Sequence, residues 1–287
     1  MSSTRLAIGG LALRLEGGAS VEQAMALPGF APFVMHNDVE PAISIVLDSD
    51  LPMPPMQELH RFEILDGTGE CRFGVDAESV YHYRFGENEE VRFDPRRPHE
   101  AAVSQLEGDG KLRFALWLAY CMTGANYGRT PVHSSVVVCD GRAVMCLGES
   151  GTGKSTHTRL WLEHIEGTHL LNDDSPILAA SHTGPAVVYG SPWSGKTPCF
   201  RQERYPLAAL LRLEQRPENS IRQLGTIEAF AALQPSCPPA MAHDERCLDL
   251  VVRFVSAVIS HTPAYRLGCL PDADSARLSH STIFATN

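Results

Sequence analysis

Ala143-Val144-Met145-Cys146-Leu147-Gly148-Glu149-Ser150-Gly151-Thr152-Gly153-Lys154-Ser155-Thr156 is the stretch on which the reading of this 287-residue chain turns. Its first five residues are a short apolar run of the kind a fully buried strand shows. The run passes directly into the pattern GxxxxGK[ST], filled by Gly148, Gly153, Lys154 and Ser155. Glycines let a backbone curl until successive N–H groups point into one concavity. A helix beginning at Lys154 would present its positive end to the same point. Residues 148–156 therefore read as a cradle for the phosphates of ATP. Lys154 would reach the β- and γ-phosphates, and the Ser155 hydroxyl would ligate Mg²⁺.

The flanks agree with that reading. Upstream, Ser135-Val136-Val137-Val138-Cys139 is a second apolar, β-branched run, joined to the first by the hairpin signal Asp140-Gly141. Downstream, Thr156 to His164 can form a helix with Leu160, Trp161 and His164 near one face. Leu170-Leu171 then leads to Asn172-Asp173-Asp174, a strand ending in acids. Carboxylates are what a hard cation such as Mg²⁺ prefers. Two adjacent acids can also split their roles, one on metal and one on a substrate proton. Asp-Asp-Ser-Pro is good turn chemistry as well, so a capping or turn role for the pair stays open.

A third feature is Gly190-Ser191-Pro192-Trp193-Ser194-Gly195-Lys196-Thr197-Pro198, followed by Arg201. Two glycines, two prolines and a tryptophan make a stiff, irregular loop. Lys196 and Arg201 read as cations without a nearby acid, suited to the γ-phosphate or to an acidic group on a substrate. Solvated loop cations are the plainer alternative. His133, just ahead of the first strand, is by itself more often a packing or surface residue than a functional one.

The order His133, strand, Asp140-Gly141, strand, Gly148–Thr156, then Asp173-Asp174 resembles the catalytic domain of HPr kinase/phosphorylase. That domain belongs to the wider group resembling the nucleotide domain of phosphoenolpyruvate carboxykinase, whose phosphate loop is close to GESGTGKST. The resemblance covers about Pro131 to Asp174 well and the rest of the C-terminal part loosely. It implies an α/β fold, a P-loop nucleotide domain of the HPr kinase/PEP carboxykinase type. It further implies an ATP- and Mg²⁺-dependent kinase acting on a hydroxyl, either a serine of a protein or peptide or a small molecule. Lys154 would bind phosphate, Asp174 would accept the hydroxyl proton, Asp173 would assist and help hold metal, and His133 would lie in the site. The chain departs from those kinases at Thr156, where they place glutamate. It also departs at Val187-Val188-Tyr189-Gly190-Ser191-Pro192, which carries no acid. Phosphorylation of HPr itself is therefore not implied. A catalytically silent ATP-binding regulatory protein is the alternative.

Composition narrows the class. An apolar share of 44% and a charged share of 20% are those of a folded chain. With 24 basic against 34 acidic residues, the formal net charge is −10. A nucleic-acid groove is not expected, because phosphate neutralisation needs clustered Lys and Arg. No run approaches the roughly 20 apolar residues that span a bilayer. Met1 to Gly18, broken by Gly9-Gly10, does not read as a signal peptide. Eight cysteines show no CxxC and no zinc-ligand spacing with histidine, so a reducing, cytoplasmic setting is expected. A homo-oligomer is compatible with all of this. Three regions follow: a β-rich N-terminal module over 1–110, whose clearest signals are a strand at 42–47 and a hairpin at 79–93; a connecting helix over 111–127; and the catalytic domain over 128–287.

Overall fold

The computed structural model describes residues 2–64 and 69–285. The chain divides into two compact units, Met1–Arg129 with Ala240–Leu250, and Thr130–Pro239 with Val251–Asn287. Both combine helices with a large mixed sheet.

The first unit opens with a hairpin. Strands β1 (Ser2–Ile8) and β2 (Leu11–Gly17) pair antiparallel from Ser2↔Gly17 to Ile8↔Leu11. The two-residue turn between them needs positive φ at both positions, and Gly9 (61°) and Gly10 (77°) supply it. Helix α1 (Ala19–Ala26) follows, then β3 (Ile43–Val46), β4 (Met56–Glu63), β5 (Glu70–Asp76), β6 (Tyr81–Arg84), β7 (Glu90–Phe93) and β8 (Glu100–Val103). They complete an eight-stranded sheet in the order β1-β2-β3-β8-β7-β6-β5-β4. Helix α2 (Asp109–Ala125) buries Leu112, Ala115, Leu116, Ala119 and Tyr120, and also Leu118, Cys121 and Met122. With so wide an apolar face it is no connector. It packs on the sheet of its own unit, where Tyr83 Oη donates to Met122 Sδ at 3.3 Å. The chain divides just after this helix, between Arg129 and Thr130, and not at 110 and 128. Residues 240–250 also rejoin the first unit.

Strands β5, β6 and β7 of that sheet carry a charged cluster. His82 is fully buried between two carboxylates, with Nε2 3.2 Å from Asp76 Oδ2 and Nδ1 3.1 Å from Glu90 Oε2. Arg84 Nε donates to the same Glu90 oxygen at 3.0 Å. Removing one member of a buried ionic network leaves the others desolvated and unpaired, so Glu90→Ala is expected to cost about 3–5 kcal/mol in denaturant unfolding. A cost below 1 kcal/mol would show that solvent reaches the cluster.

The second unit carries strands β9 (Arg129–Pro131), β10 (Ser134–Cys139) and β11 (Arg142–Leu147), helix α3 (Lys154–His164), then β12 (His169–Asp174), β13 (Ile177–Ala179), β14 (Val187–Tyr189), β15 (Arg204–Gln215) and β16 (Ser220–Gln223). Helices α4 (Thr226–Leu233) and α5 (Glu245–Ile259), strand β17 (Ala264–Cys269) and helix α6 (Ala273–Phe284) complete it, with the first residues of α5 counted in the other unit. The nine-stranded sheet runs β12-β10-β11-β15-β14-β13-β9, with β17 on β15 and β16 on β17. β10 and β11 form the hairpin expected at Asp140-Gly141, whose φ values are 48° and 69°. Both strands are buried on both faces, which is why they read as continuous apolar runs. One face, carrying Val137, Cys139, Val144, Cys146, Leu211, Leu213 and Leu267, packs against Leu160 and Trp161 of α3 and Ala276 and Ile283 of α6. His164 lies outside that face and is exposed, because the buried face of α3 is set by Lys154, His157, Thr158, Leu160 and Trp161.

The seam between α3 and α6 is polar. Trp161 Nε1 donates to His157 Nε2 at 3.2 Å and to Ser279 Oγ at 3.0 Å. Burial holds His157 down at about 4, against an ordinary 6.5. An unfolded chain therefore binds more protons than the folded one between those values, and stability falls as pH drops from 6.5 towards 4. The full loss is roughly 3 kcal/mol. His157→Gln keeps an acceptor for Trp161 and should flatten the stability profile over that window. An unchanged profile would assign the acid sensitivity to other groups.

Candidate active site

β11 ends at Leu147 and the glycine-rich loop begins. A Cβ on Gly148 would stand 3.0 Å from Thr152 Cβ, so close approach requires glycine there. Gly151 (φ 81°) and Gly153 (φ 104°) have open space around them and are glycines for their backbone conformation. Thr152 closes the turn through its N–H (3.2 Å) and hydroxyl (2.8 Å), both donating to Glu149 O. Among the described residues no side chain caps α3, so the first-turn N–H groups of the helix stay available at its positive end. Glu149 and Ser150 are exposed, Ser155 is exposed and Thr156 half-buried at the rim of the loop.

Lys154 is buried and turned back over the loop. Its Nζ donates to Gly148 O (2.8 Å) and Glu149 O (3.2 Å), and lies 3.0 Å from His133 Nε2. Burial pushes the ammonium below its usual value, with Asp174 and Asp173 opposing that shift and Arg212 adding to it. An ammonium has no lone pair, so His133 Nε2 is the acceptor and the ring proton is on Nδ1. That proton faces Asp174 Oδ1 at 3.3 Å. The chain Lys154–His133–Asp174 thus joins the glycine-rich loop to the end of β12. The His133 backbone is fixed by its N–H to Ser236 O at 2.8 Å.

The two acids occupy different positions. Ser155 Oγ donates to Asp173 Oδ1 at 2.9 Å. A hydroxyl and a carboxylate so paired are hard oxygen donors, a set that fits a magnesium ion. Asp174 accepts from Ser175 Oγ at 2.9 Å. Burial alone would push the Asp174 carboxyl up, but the hydrogen bond from His133, the Ser175 hydroxyl and the Lys154 ammonium outweigh it and hold it below the ordinary carboxylate value. Its φ of 144° lies where residues other than glycine are rarely found, a strain of order 1–3 kcal/mol that neighbouring structure must hold.

The 191–199 loop does the holding. Gly195 N donates to Asp173 O at 2.6 Å, and Asp174 bridges to Ser194. A Cβ on Gly195 would press to 3.1 Å on both Asp173 O and Asp174 Cβ. Fully buried Asn172 donates to Trp193 O at 3.1 Å and accepts from Ser175 N at 3.1 Å, while Ser191 Oγ donates to Ser175 O at 2.6 Å. Asn172, Ser191 and Ser194 were not singled out from sequence, yet they clamp the acid pair from both sides.

One expectation is corrected. Arg201 does have an acid beside it: its Nη1 lies 3.3 Å from Glu203 Oε1. In extended chain, residues two apart share a face, so Glu203 takes up that charge. Lys196 is exposed on the loop that clamps the acids.

A different cation lies beside the glycine-rich loop. Arg212 on β15 is the register partner of Leu147, the residue just before Gly148. Its Nη2 is 3.4 Å from Glu149 Oε1, and it is close enough to Lys154 to depress the lysine. Because Glu149 is largely exposed, that pairing is weak and easily exchanged. If Arg212 contributes charge to bound phosphates, Arg212→Met should lower kcat/KM by about 10²-fold. A loss under threefold would restrict it to holding Glu149.

No protein-family model matches the chain, and no curated protein sequence matches it. Among solved structures it is similar to the Hpr(Ser) kinase/phosphatase from Coxiella burnetii, at 12% identity over 53% of this chain and 93% of that one, with a TM-score of 0.31. A score at that level carries no argument. The mixed α/β fold stands on the strand order given above.

Proposed function

We propose that this chain is an ATP- and Mg²⁺-dependent kinase that transfers the γ-phosphate to a hydroxyl. The observation that carries the reading is the convergence of Lys154, the Ser155–Asp173 pair (2.9 Å) and the Asp174–His133 pair (3.3 Å) beside one glycine-rich loop at a helix N-terminus. The resemblance of these motifs to those of HPr kinase/phosphorylase supports it.

The chain's residues would act as follows. The N–H groups of Gly148–Thr156 and the positive end of α3 bind the phosphates. Lys154 exchanges its contacts with the loop carbonyls for β- and γ-phosphate oxygens. Asp174 orients the acceptor hydroxyl and takes its proton as the oxygen bonds to the γ-phosphorus. The bond from that phosphorus to the β–γ bridging oxygen breaks, and ADP leaves with the electron pair. His133, donating through Nδ1, fixes the rotamer of Asp174. Magnesium held by Ser155 and Asp173 would neutralise phosphate charge. Most of the rate would come from positioning and charge stabilisation.

The test is ATP consumption by purified protein with Mg²⁺, with and without peptide and metabolite fractions of a cell lysate. Steady consumption that needs both Mg²⁺ and one fraction is expected. ATP binding with no fraction raising consumption would favour a catalytically silent regulatory protein.

A further inference from the structure

We propose that Cys139, Asp140 and His280 form a second metal site, for a divalent ion of the zinc type, at the turn end of the β10–β11 hairpin. One ligand atom from each residue lies within 4.8 Å of the other two. Cys139 Sγ is 3.7 Å from His280 Nε2. Zinc bonds of 2.3 Å to sulfur and 2.0–2.1 Å to nitrogen at tetrahedral angles set those atoms about 3.5 Å apart. The pair therefore stands within tenths of an ångström of ligating geometry. Asp140 is exposed and its neighbours are not, so the carboxylate reaches in from solvent and leaves room for water as a fourth ligand.

The surroundings hold the donors in place. Asp140 sits in the tight turn at φ 48°, where Asn or Gly would serve as well but bring no charge. The His280 ring stacks on Phe284 (5.1 Å, 17°) and stands edge-on to Trp161 (5.4 Å, 74°), which fixes its orientation towards the thiol. Glu166 O lies 4.0 Å from Cys139 Sγ. Burial pushes the Cys139 thiol up and Asp140 adds to that, whereas Thr168 and Arg142 favour the thiolate. A metal would displace the thiol proton into solution. Mixed sulfur, nitrogen and oxygen donors select zinc-like ions over magnesium or calcium, which take oxygen alone. The site is independent of the phosphate loop, which lies at the other end of β11.

Cobalt(II) is the probe. The 287-residue chain, freed of metal by chelator, should bind one equivalent with a thiolate-to-cobalt charge-transfer band that zinc then bleaches. Cys139→Ala and His280→Gln should each weaken cobalt binding by about 100-fold or more, as loss of a metal-supporting residue does, so that the band is absent from both at the cobalt concentration that just saturates the unsubstituted chain. Far-UV circular dichroism checks folding. Should Cys139→Ala not fold, the half-buried His280 carries the test alone. Absence of the band, or its persistence in either variant, would overturn the proposal and leave the Cys139–His280 contact a metal-free packing interaction.

Discussion

Lys154→Met is expected to lose phosphate transfer by about 10³-fold or more with thermal stability close to that of the unsubstituted chain. The Lys154 ammonium reaches both loop carbonyls and His133. Its burial already disfavours the charge, so an unbranched apolar side chain of similar length can take its place at little cost. The charge is useful only once phosphate arrives to share it. Activity and melting temperature measured on one preparation check this, and wild-type turnover in the variant would remove the loop from the chemistry.

Asp174→Asn is expected to lower kcat by 10²–10⁴-fold, the range of a lost general base, with ATP affinity nearly unchanged. Asn keeps the shape of Asp, so the neighbouring structure that holds the backbone at φ 144° should hold it in the variant too. It cannot take a proton, and its amide would meet the Nδ1–H of His133 in place of a carboxylate. Because the Asp174 carboxyl is held below its ordinary value, it stays ionised through the neutral range. The activity that depends on its ionised form should thus persist to mildly acidic pH and be lost only as pH falls through the lowered value. Equal losses in MgATP affinity and turnover would make Asp174 a metal-binding residue and move the base to Asp173.

What could be read from sequence, and what could not, follows from where each signal lies. The β10–β11 hairpin was legible because both of its faces are buried, its turn is Asp-Gly, and the glycine pattern follows at once. Asp173 and Asp174 were legible as acids ending a strand. Their different partners were not: Asp173 pairs with Ser155, and Asp174 with His133, through packing between segments far apart in sequence. β15 was missed because Pro206, Arg212 and Glu214 interrupt its apolar pattern, and Arg212 was missed with it. Only the parallel register with β11 brings Arg212 beside Leu147. Gly9-Gly10 had been read as a break, although it is a hairpin turn between two alternating runs. His280 lies 141 residues from Cys139, beyond the reach of any ligand-spacing rule.

The most direct test of the account follows the γ-phosphate itself. Protein, Mg²⁺ and γ-labelled ATP would be incubated with the lysate fraction that raises consumption, and the label partitioned between inorganic phosphate and an acid-stable phosphomonoester. The account predicts label in the phosphomonoester, in proportion to ADP formed, and none with Lys154→Met. Label appearing only as inorganic phosphate, or no ATP bound at all, would contradict it.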